Sequence, residues 1–310
     1  MDTLAMPFST DVLSEILPLY FISALGYVAG KAFDIDVKSI STLTIFVICP
    51  VVFVLTISRL DFSAGAVAAP LVTFAAASLL APIVLKITSL YMDKKTPYLA
   101  ALSTGTSNWG YFGIPIAFAV LPPEMVAAYI MLGFGKQLFE NSLGIYYVSR
   151  GTKSPKESIK NIFRYPVIYA IAAGLVLSYI DYDLPETGEK FLTLFKGAYT
   201  VLGMMMIGLG LSALDKFRVD VPFTVSVFAV RFLVWPLVAL GIVWADTHIG
   251  LLGPQYHKPL LLFSVMPVGA NNIAFAAQFD MYPGKASIAV LLSTLFALVY
   301  IPLAIWFFGL

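Results

Sequence analysis

Ten long apolar segments, separated by short polar loops, run along the chain. They lie near residues 12–31, 40–58, 66–91, 97–121, 124–149, 165–181, 190–213, 220–246, 257–279 and 284–309. A transmembrane α-helix needs about 20 mostly apolar residues, so segments of this length can cross a bilayer. The loops leave no room for a soluble domain. The pattern therefore predicts an all-α membrane protein with ten transmembrane helices.

The composition agrees with a lipid environment. Hydrophobic residues make up 59% of the chain and charged residues 12%, whereas soluble proteins carry about 25% charged residues. The net charge of +1 gives no indication of a nucleic-acid partner. One cysteine and two histidines are too few for a metal site, so we predict neither a metal nor another cofactor. The apolar segments also lack the nucleophile–base pairs of an intramembrane enzyme.

The polar stretch between residues 150 and 164 divides the ten segments into two groups of five. We therefore predict a first five-helix repeat over residues 1–149, a cytoplasmic linker over 150–164 and a second repeat over 165–310. An odd number of spans in each half gives the two halves opposite orientations. This arrangement is the inverted repeat of many transporters.

Lysine and arginine residues set the expected orientation, because cytoplasmic loops of membrane proteins are enriched in them. With the N-terminus outside, the inner loops hold twelve such residues and the outer loops hold three, Arg59, Lys190 and Lys258. We therefore expect both termini outside, the linker in the cytoplasm, and the protein in the plasma (inner) membrane.

Spans four and nine are expected to be broken in their middle. Span four carries Gly105, Asn108, Gly110, Gly113 and Pro115 within residues 102–120. Proline removes a backbone donor and glycine adds backbone freedom, and both weaken a helix. A simple kink is the alternative interpretation.

Span nine holds a similar set, Pro267, Gly269, Asn271 and Asn272, within residues 261–279. Interrupted spans at matching positions of two halves indicate a transport site near the centre of the membrane. Helix N-termini and amide groups suit an anion. The predicted substrate-binding residues there are Asn108, Gly110, Pro115, Pro267, Asn271 and Asn272.

Charged and polar residues inside the spans add further candidates, because a charge at helix centre is costly and usually faces the protein interior. Lys136 and Glu140 lie four residues apart on span five, and Arg231 lies on span eight. Lys136 and Arg231 are predicted to attract a carboxylate. The alternatives are an ion pair of Lys136 with Glu140 and a pair of Arg231 with Glu140. The candidates for binding a coupling proton or sodium ion are Glu140, Ser107, Gln137 and Asn141.

Several segments resemble the auxin efflux carrier family, which includes plant PIN-FORMED proteins and bacterial organic-acid carriers. They are LPLYFISALGYVAGK at the start, TIFVICPVVF in span two, SNWGYFGIP in span four, GFGKQLFENSLGIYYVSRG in span five and MPVGANNIAFAAQFDMYPGKASIAVLLST at the end. The resemblance covers essentially the whole chain. The short central loop departs from the plant members, which carry a large one, and this departure favours the prokaryotic type.

The resemblance implies a fold like that of bile acid:sodium symporters. In that fold a scaffold domain of spans 1, 2, 6 and 7 holds a transport domain of spans 3–5 and 8–10. The broken helices would cross at Pro115 and Pro267, and the transport domain would move as an elevator. Two copies could form a homodimer through the scaffold domain.

We expect the protein to be a secondary transporter of small organic anions, driven by protons or sodium ions or running as a uniporter. Its expected partners are the organic anion and the lipid bilayer. A membrane sensor that keeps the transporter fold without net transport is the main alternative, and a channel is a further one.

Overall fold

The computed structural model describes residues 10–33, 35–58, 64–214 and 216–310, and all regular structure in these ranges is helical. The predicted external segment Met1–Ser9 and Arg59 lie outside the described residues. The α-helices are α1 (Thr10–Phe33), α2 (Val37–Leu43), α3 (Cys49–Ile57), α4 (Ala64–Thr88), α5 (Thr96–Gly105), α6 (Ile114–Val120), α7 (Pro123–Phe139), α8 (Ile145–Arg150), α9 (Pro155–Ile162), α10 (Pro166–Tyr179), α11 (Glu186–Ser212), α12 (Val221–Ala229), α13 (Trp235–Ile249), α14 (His257–Ser264), α15 (Asn271–Gln278) and α16 (Pro283–Phe308).

Single turns of π-helix join several of these α-helices. Such π-turns cover Thr44–Ile48, Trp109–Gly113, Glu140–Gly144 and Val230–Val234, and Pro254–Tyr256 forms a 3₁₀ turn. A π-turn accommodates one extra residue in a helix, and it often occurs at a functional site. Three of the four π-turns hold or adjoin a residue that the sequence singled out, namely Asn108, Glu140 and Arg231.

Five stretches of the described chain are long and apolar enough to cross a membrane. They are Val37–Ile57, Gly65–Thr88, Glu186–Ser212, Val221–Ile249 and Pro283–Phe308. A sixth is counted if Pro155–Ile162 and Pro166–Tyr179, which meet at an angle of 43°, form one span. Large apolar side chains on these helices face outward; Leu79, for example, is 69% exposed. Such a surface suits lipid, so the chain is an integral membrane protein.

The other predicted spans are shorter, interrupted or more polar. Within the part of helix α1 whose side chains are described, the apolar stretch is Leu17–Phe33. The predicted spans at 97–121 and 257–279 are each divided into two helices, and the span at 124–149 contains Lys136 and Glu140. These features lower the length or the hydropathy of a segment, so composition alone supports fewer spans than the ten predicted.

The linker between the two halves contains a short helix, α9, where the sequence indicated only a polar stretch. Ser154 begins this helix, and its side chain accepts a hydrogen bond from the backbone N–H of Glu157. The Glu157 carboxylate accepts in return from the Ser154 backbone, which completes a capping box. The capping box and packing against α8 together therefore give the linker regular structure.

The helices pack in two groups. Helices α1, α3, α10 and α11 form one group, in which α1 lies along α11 and α3 contacts both α10 and α11. Gly208 of α11 allows the closest approach, because a Cβ atom there would lie 2.0 Å from the backbone oxygen of Ser23 on α1. The other group contains α4, α5, α7 and α8, together with α12 to α16. Three halves of the two interrupted spans, α5, α14 and α15, belong to this second group, and the fourth, α6, contacts both α7 and α1.

An ionic cluster ties three segments of the second group together. Lys285 at the start of α16 contacts Asp93 at 3.1 Å and Asp220 at 2.7 Å. Asp93 also accepts hydrogen bonds from Thr96 and from the Lys95 backbone. Partial burial acts to raise the pKa of Asp93, but these hydrogen bonds outweigh it and hold the pKa below its usual value.

We expect Asp93→Asn to lower the free energy of unfolding by about 0.2–1 kcal/mol at pH 7, because it removes the charge that pairs with Lys285 and keeps an oxygen that can accept from Thr96. Because the folded-state pKa is lowered, the stabilisation is present above the unfolded value of about 3.9 and is lost as the pH falls below it. Thermal unfolding of purified protein at several pH values measures both effects. The matched control is Asp280→Asn, which removes an 86% exposed carboxylate 3.9 Å from Lys38. Equal midpoints for the two variants would contradict the prediction.

Candidate functional site

The two interrupted spans touch each other at their breaks. Helix α5 ends at Gly105, and helical structure resumes in the π-turn that begins at Trp109. Helix α14 ends at Ser264, and α15 begins at Asn271. The backbone N–H of Asn108 donates to the carbonyl of Pro267 at 2.8 Å, so one break satisfies a polar group of the other.

Gly269 allows this close approach. A Cβ atom at Gly269 would lie 3.1 Å from the backbone carbon and oxygen of Ser107, which is tighter than an ordinary contact. The contact between the breaks therefore favours the smallest residue at this position.

Pro115 does not lie at the point of contact. The resemblance implied a crossing at Pro115 and Pro267, but Pro115 lies in the first turn of α6. Proline suits this position, since it lacks the N–H that the first turn would leave unsatisfied. Pro267, by contrast, lies within the non-helical stretch between α14 and α15.

A cavity of about 290 Å³ opens beside the two breaks. Its polar lining comes from the breaks, from α7 and the π-turn that follows it, and from α3 and α11. Its apolar lining is mainly aromatic. The polar lining residues are Thr56, Ser107, Asn108, Gln137, Glu140, Lys196, Thr200 and Asn271, and the aromatic ones are Phe53, Trp109, Tyr111, Phe118, Phe134 and Tyr199. The cavity thus lies between the two packing groups.

A chain of hydrogen bonds crosses the cavity wall. The Asn271 amide nitrogen donates to the Glu140 carboxylate, and the Tyr111 hydroxyl donates to the Asn271 carbonyl oxygen at 3.1 Å. Tyr199 of α11 shares a hydrogen bond with Tyr111, and the two ring centroids lie 4.5 Å apart. Glu140 is therefore connected through Asn271 and Tyr111 to the other packing group.

Several buried polar atoms in the cavity wall make no hydrogen bond with the described residues. They are the hydroxyls of Thr56 and Ser107, the amide oxygen of Asn108 and the amide nitrogen of Gln137. A buried polar atom without a partner is costly, so groups of this kind usually bind something in a working protein. The set contains both donors and acceptors, and it adjoins the N-terminus of α15, where the helix dipole is positive. A carboxylate suits these groups.

Lys136 and Arg231 lie away from the cavity. Neither residue is part of its lining, although the sequence suggested both as substrate contacts. Arg231 donates to the carbonyls of Phe263 and Ser264 at the end of α14. Among the described residues, no ion pair within 4 Å joins Glu140 to either cation. The Asn271 amide donates a hydrogen bond to the Glu140 carboxylate instead.

The remaining predicted residues divide between the cavity and its surroundings. Gly110, Pro115, Ser107 and Gln137 line the cavity. Asn272 is buried outside the lining, and its amide makes no hydrogen bond with the described residues. Asn141 donates to the Gln137 carbonyl within its own helix.

The sequence analysis missed the contribution of α11. Lys196, Tyr199 and Thr200 all line the cavity, and their spacing of three and four residues places them on one helix face. The sequence could have indicated this contribution, because these polar residues share one face of an otherwise apolar span. Within the described ranges, His, Cys, Asp and Glu form no cluster of three or more that would suit a metal ion.

Comparison with known proteins places the chain among transporters. A family model described as membrane transport protein matches residues 152–305. An uncharacterized transporter of Methanocaldococcus jannaschii is 26% identical over 308 residues, which are 96% of this chain and 97% of that protein.

Plant proteins are similar over a shorter stretch. Auxin efflux carrier component 3a of rice (Oryza sativa subsp. japonica) is 30% identical over 146 residues, which are 45% of this chain and 23% of that longer protein. Auxin efflux carrier component 2 of the same plant is 30% identical over 147 residues, 45% of this chain and 22% of that protein.

The relatives are membrane transporters and not enzymes. Together with the interrupted helices, they confirm the resemblance seen in the sequence. The family model and these relatives support assignment of the chain to the auxin efflux carrier family of membrane transport proteins.

Proposed function

We propose that the protein is a secondary transporter of small organic anions, which bind in the cavity beside the two breaks. The observation that carries this proposal is the contact between Asn108 and Pro267, because it brings two interrupted spans together beside a polar cavity. Backbone irregularity at membrane depth is tolerated where it lines a cavity or packs within protein. A site of this kind is typical of transporters built from repeats.

The packing groups support a division into a scaffold domain and a transport domain. Spans 1, 2, 6 and 7 correspond to α1, α2–α3, α10 and α11, and helices of these spans pack on one another. The remaining spans form the group with both breaks. We therefore propose ten spans in two inverted repeats, over residues 1–149 and 165–310, with the linker in the cytoplasm. The transport domain would carry the cavity across the bilayer as an elevator.

The cavity wall suggests the substrate class. Its polar groups can hold one carboxylate, and its aromatic rings can cover an apolar body. We propose a small monocarboxylate with an apolar part as the preferred substrate. A compact dicarboxylate is less favoured, since Glu140 already places an acidic group in the wall.

The charges in the cavity wall favour proton coupling. Glu140 and Lys196 are the charged residues in the described lining. An anionic substrate adds a negative charge beside Glu140, and a proton that binds to Glu140 at the same time offsets it; the buried cations Lys136 and Arg231 lie outside the lining. Glu140, which is 2% exposed, is the proposed proton site. Lys136 on the same helix and Cys49, Tyr111 and Tyr199 around the cavity are the other titratable groups that act on Glu140.

Uptake by purified protein in proteoliposomes tests the proposed function. A panel of labelled compounds should contain monocarboxylates with and without an aromatic part, dicarboxylates, an amine and a neutral sugar. We expect saturable uptake of monocarboxylates, with competition by their close analogues. Liposomes without protein provide the control.

Three outcomes would contradict the proposal. Preferred uptake of the amine or the sugar would exclude an anion site. Binding of an organic acid without uptake or exchange would favour the alternative of a membrane sensor. Large single-channel currents would indicate a channel instead, since an elevator moves one substrate load in each cycle.

A further inference from the structure

Two side chains on one helix face hold the ends of both interrupted spans. The Arg231 Nη2 group donates to the carbonyls of Phe263 and Ser264, at 3.2 and 3.0 Å, and these are the last two residues of α14. The Trp235 indole nitrogen donates to the carbonyl of Thr104 at 2.7 Å, one residue before the end of α5. Because Arg231 and Trp235 are four residues apart, they project from the same face.

The end of α14 is a natural cation site. The last carbonyls of a helix have no partner within the helix, and they lie at the negative end of its dipole. In transporters with interrupted spans, such ends coordinate the coupling sodium ion. Here the Arg231 guanidinium, which is 1% exposed, already binds these carbonyls. Its Nε and Nη1 groups make no hydrogen bond with the described residues.

A second buried cation reinforces the positive charge. The Lys136 ammonium lies 3.6 Å from the centroid of the Trp235 ring, and the Arg231 guanidinium carbon lies 5.4 Å from it. The aromatic face stabilises Lys136 by a cation–π contact. Among the described residues, neither cation lies within 4 Å of a carboxylate. A soluble cation beside them would meet two like charges.

We propose that Arg231 is a tethered cation that takes the place of a sodium ion at the end of α14, so that the transporter works without sodium. Arg231 is thus a positioning residue: it fixes the end of α14, and Trp235 fixes the end of α5. Together they hold the two breaks in register beside the cavity. The statement about sodium rests on the proposed transport function, whereas the cation site can be tested without transport.

Chemical rescue of Arg231→Ala tests the proposal in two ways. Removal of the Arg231 side chain should leave a site at the end of α14 that a free guanidinium ion can occupy. We expect guanidinium chloride at low millimolar concentration to raise the thermal unfolding midpoint of Arg231→Ala more than choline chloride does. The two salts should act alike on the wild-type protein and on Lys86→Ala, which removes an exposed cation of α4.

In proteoliposomes, wild-type uptake should be equal with external sodium and with external choline. The uptake rate of Arg231→Ala should be about tenfold or more below that of the wild-type protein, as expected when charged hydrogen bonds are lost. Added guanidinium should restore part of this uptake. Arg231→Lys should retain sodium-independent uptake, and this variant gives the answer if Arg231→Ala fails to fold.

Sodium-dependent uptake by the wild-type protein would overturn the proposal. A folded Arg231→Ala variant that responds equally to guanidinium and choline would overturn it as well. If the wild-type protein takes up no organic anion, the proposed function fails, and the unfolding measurements alone then decide whether the end of α14 is a cation site.

Discussion

Asn271→Ala is expected to reduce uptake of organic anions by about 10- to 100-fold, while the protein still inserts and folds. The substitution removes an amide that donates to Glu140 and accepts from Tyr111. Each buried partner left unpaired costs about 1–3 kcal/mol, and 1.4 kcal/mol corresponds to a factor of ten. The amide is also a proposed substrate contact at the N-terminus of α15. Initial rates of tracer uptake in proteoliposomes provide the measurement.

Asn161→Ala is the matched control for this variant. Asn161 is also a buried asparagine, but it lies on the linker helix α9 and donates to the Ser149 hydroxyl. Its loss should affect the unfolding temperature and leave the apparent affinity for substrate unchanged. Normal uptake by Asn271→Ala would place the substrate elsewhere. Asn108→Ala is expected to behave as Asn271→Ala does, because both amides line the cavity beside the breaks.

Glu140→Gln is expected to abolish proton-driven accumulation and to retain exchange of substrate. Glutamine keeps the shape of the side chain and accepts from Asn271, but it cannot release a proton. For the wild-type protein, an inward gradient of one pH unit is worth about 1.4 kcal/mol per proton, enough for about tenfold accumulation. Accumulation ratios with and without a pH gradient, together with exchange of labelled for unlabelled substrate, provide the measurement.

Glu124→Gln provides the control for this variant. Glu124 lies in the first turn of the same helix, α7, and its side chain is exposed. Its substitution should leave both accumulation and exchange unchanged. If Glu140→Gln still accumulates substrate with a pH gradient, another group binds the proton. If the wild-type protein accumulates nothing in a pH gradient, proton coupling itself is wrong.

Sequence reasoning succeeded where a local pattern decides the structure. The glycines, prolines and asparagines of spans four and nine predicted interruptions, and α5 and α14 do end at Gly105 and Ser264. The long apolar segments likewise indicated a membrane protein without any knowledge of tertiary contacts. The family resemblance also followed from short motifs in a fixed order.

Sequence reasoning failed where contacts between distant parts of the chain decide the structure. The spacing of Lys136 and Glu140 indicated an ion pair, but residues far away in sequence decided the outcome. Asn271 reaches Glu140, and Trp235 lies under Lys136. Arg231 likewise contacts carbonyls 32 and 33 residues further along the chain. A helical spacing indicates which residues share a face, and it cannot indicate which neighbour covers that face.

Pro115 was misplaced for a different reason. Proline both ends helices and begins them, because its missing N–H is harmless only in a first turn. The sequence alone does not distinguish these roles when several glycines precede the proline. The break therefore lies before Trp109, and Pro115 follows it in α6.

Substrate protection of a single cysteine tests binding in this cavity most directly. Gly110 lines the cavity beside the two breaks, and a Cβ atom there would meet nothing within 4 Å, so Gly110→Cys places a thiol in open space within the cavity. The wild-type protein, whose only cysteine is the buried Cys49, gives the background of labelling by a membrane-impermeant maleimide. We predict that a transported monocarboxylate slows the labelling of Gly110→Cys in a saturable manner, at the concentrations that saturate uptake, and that a non-transported amine has no effect. An unchanged labelling rate at a saturating concentration of the transported acid would contradict binding at this site.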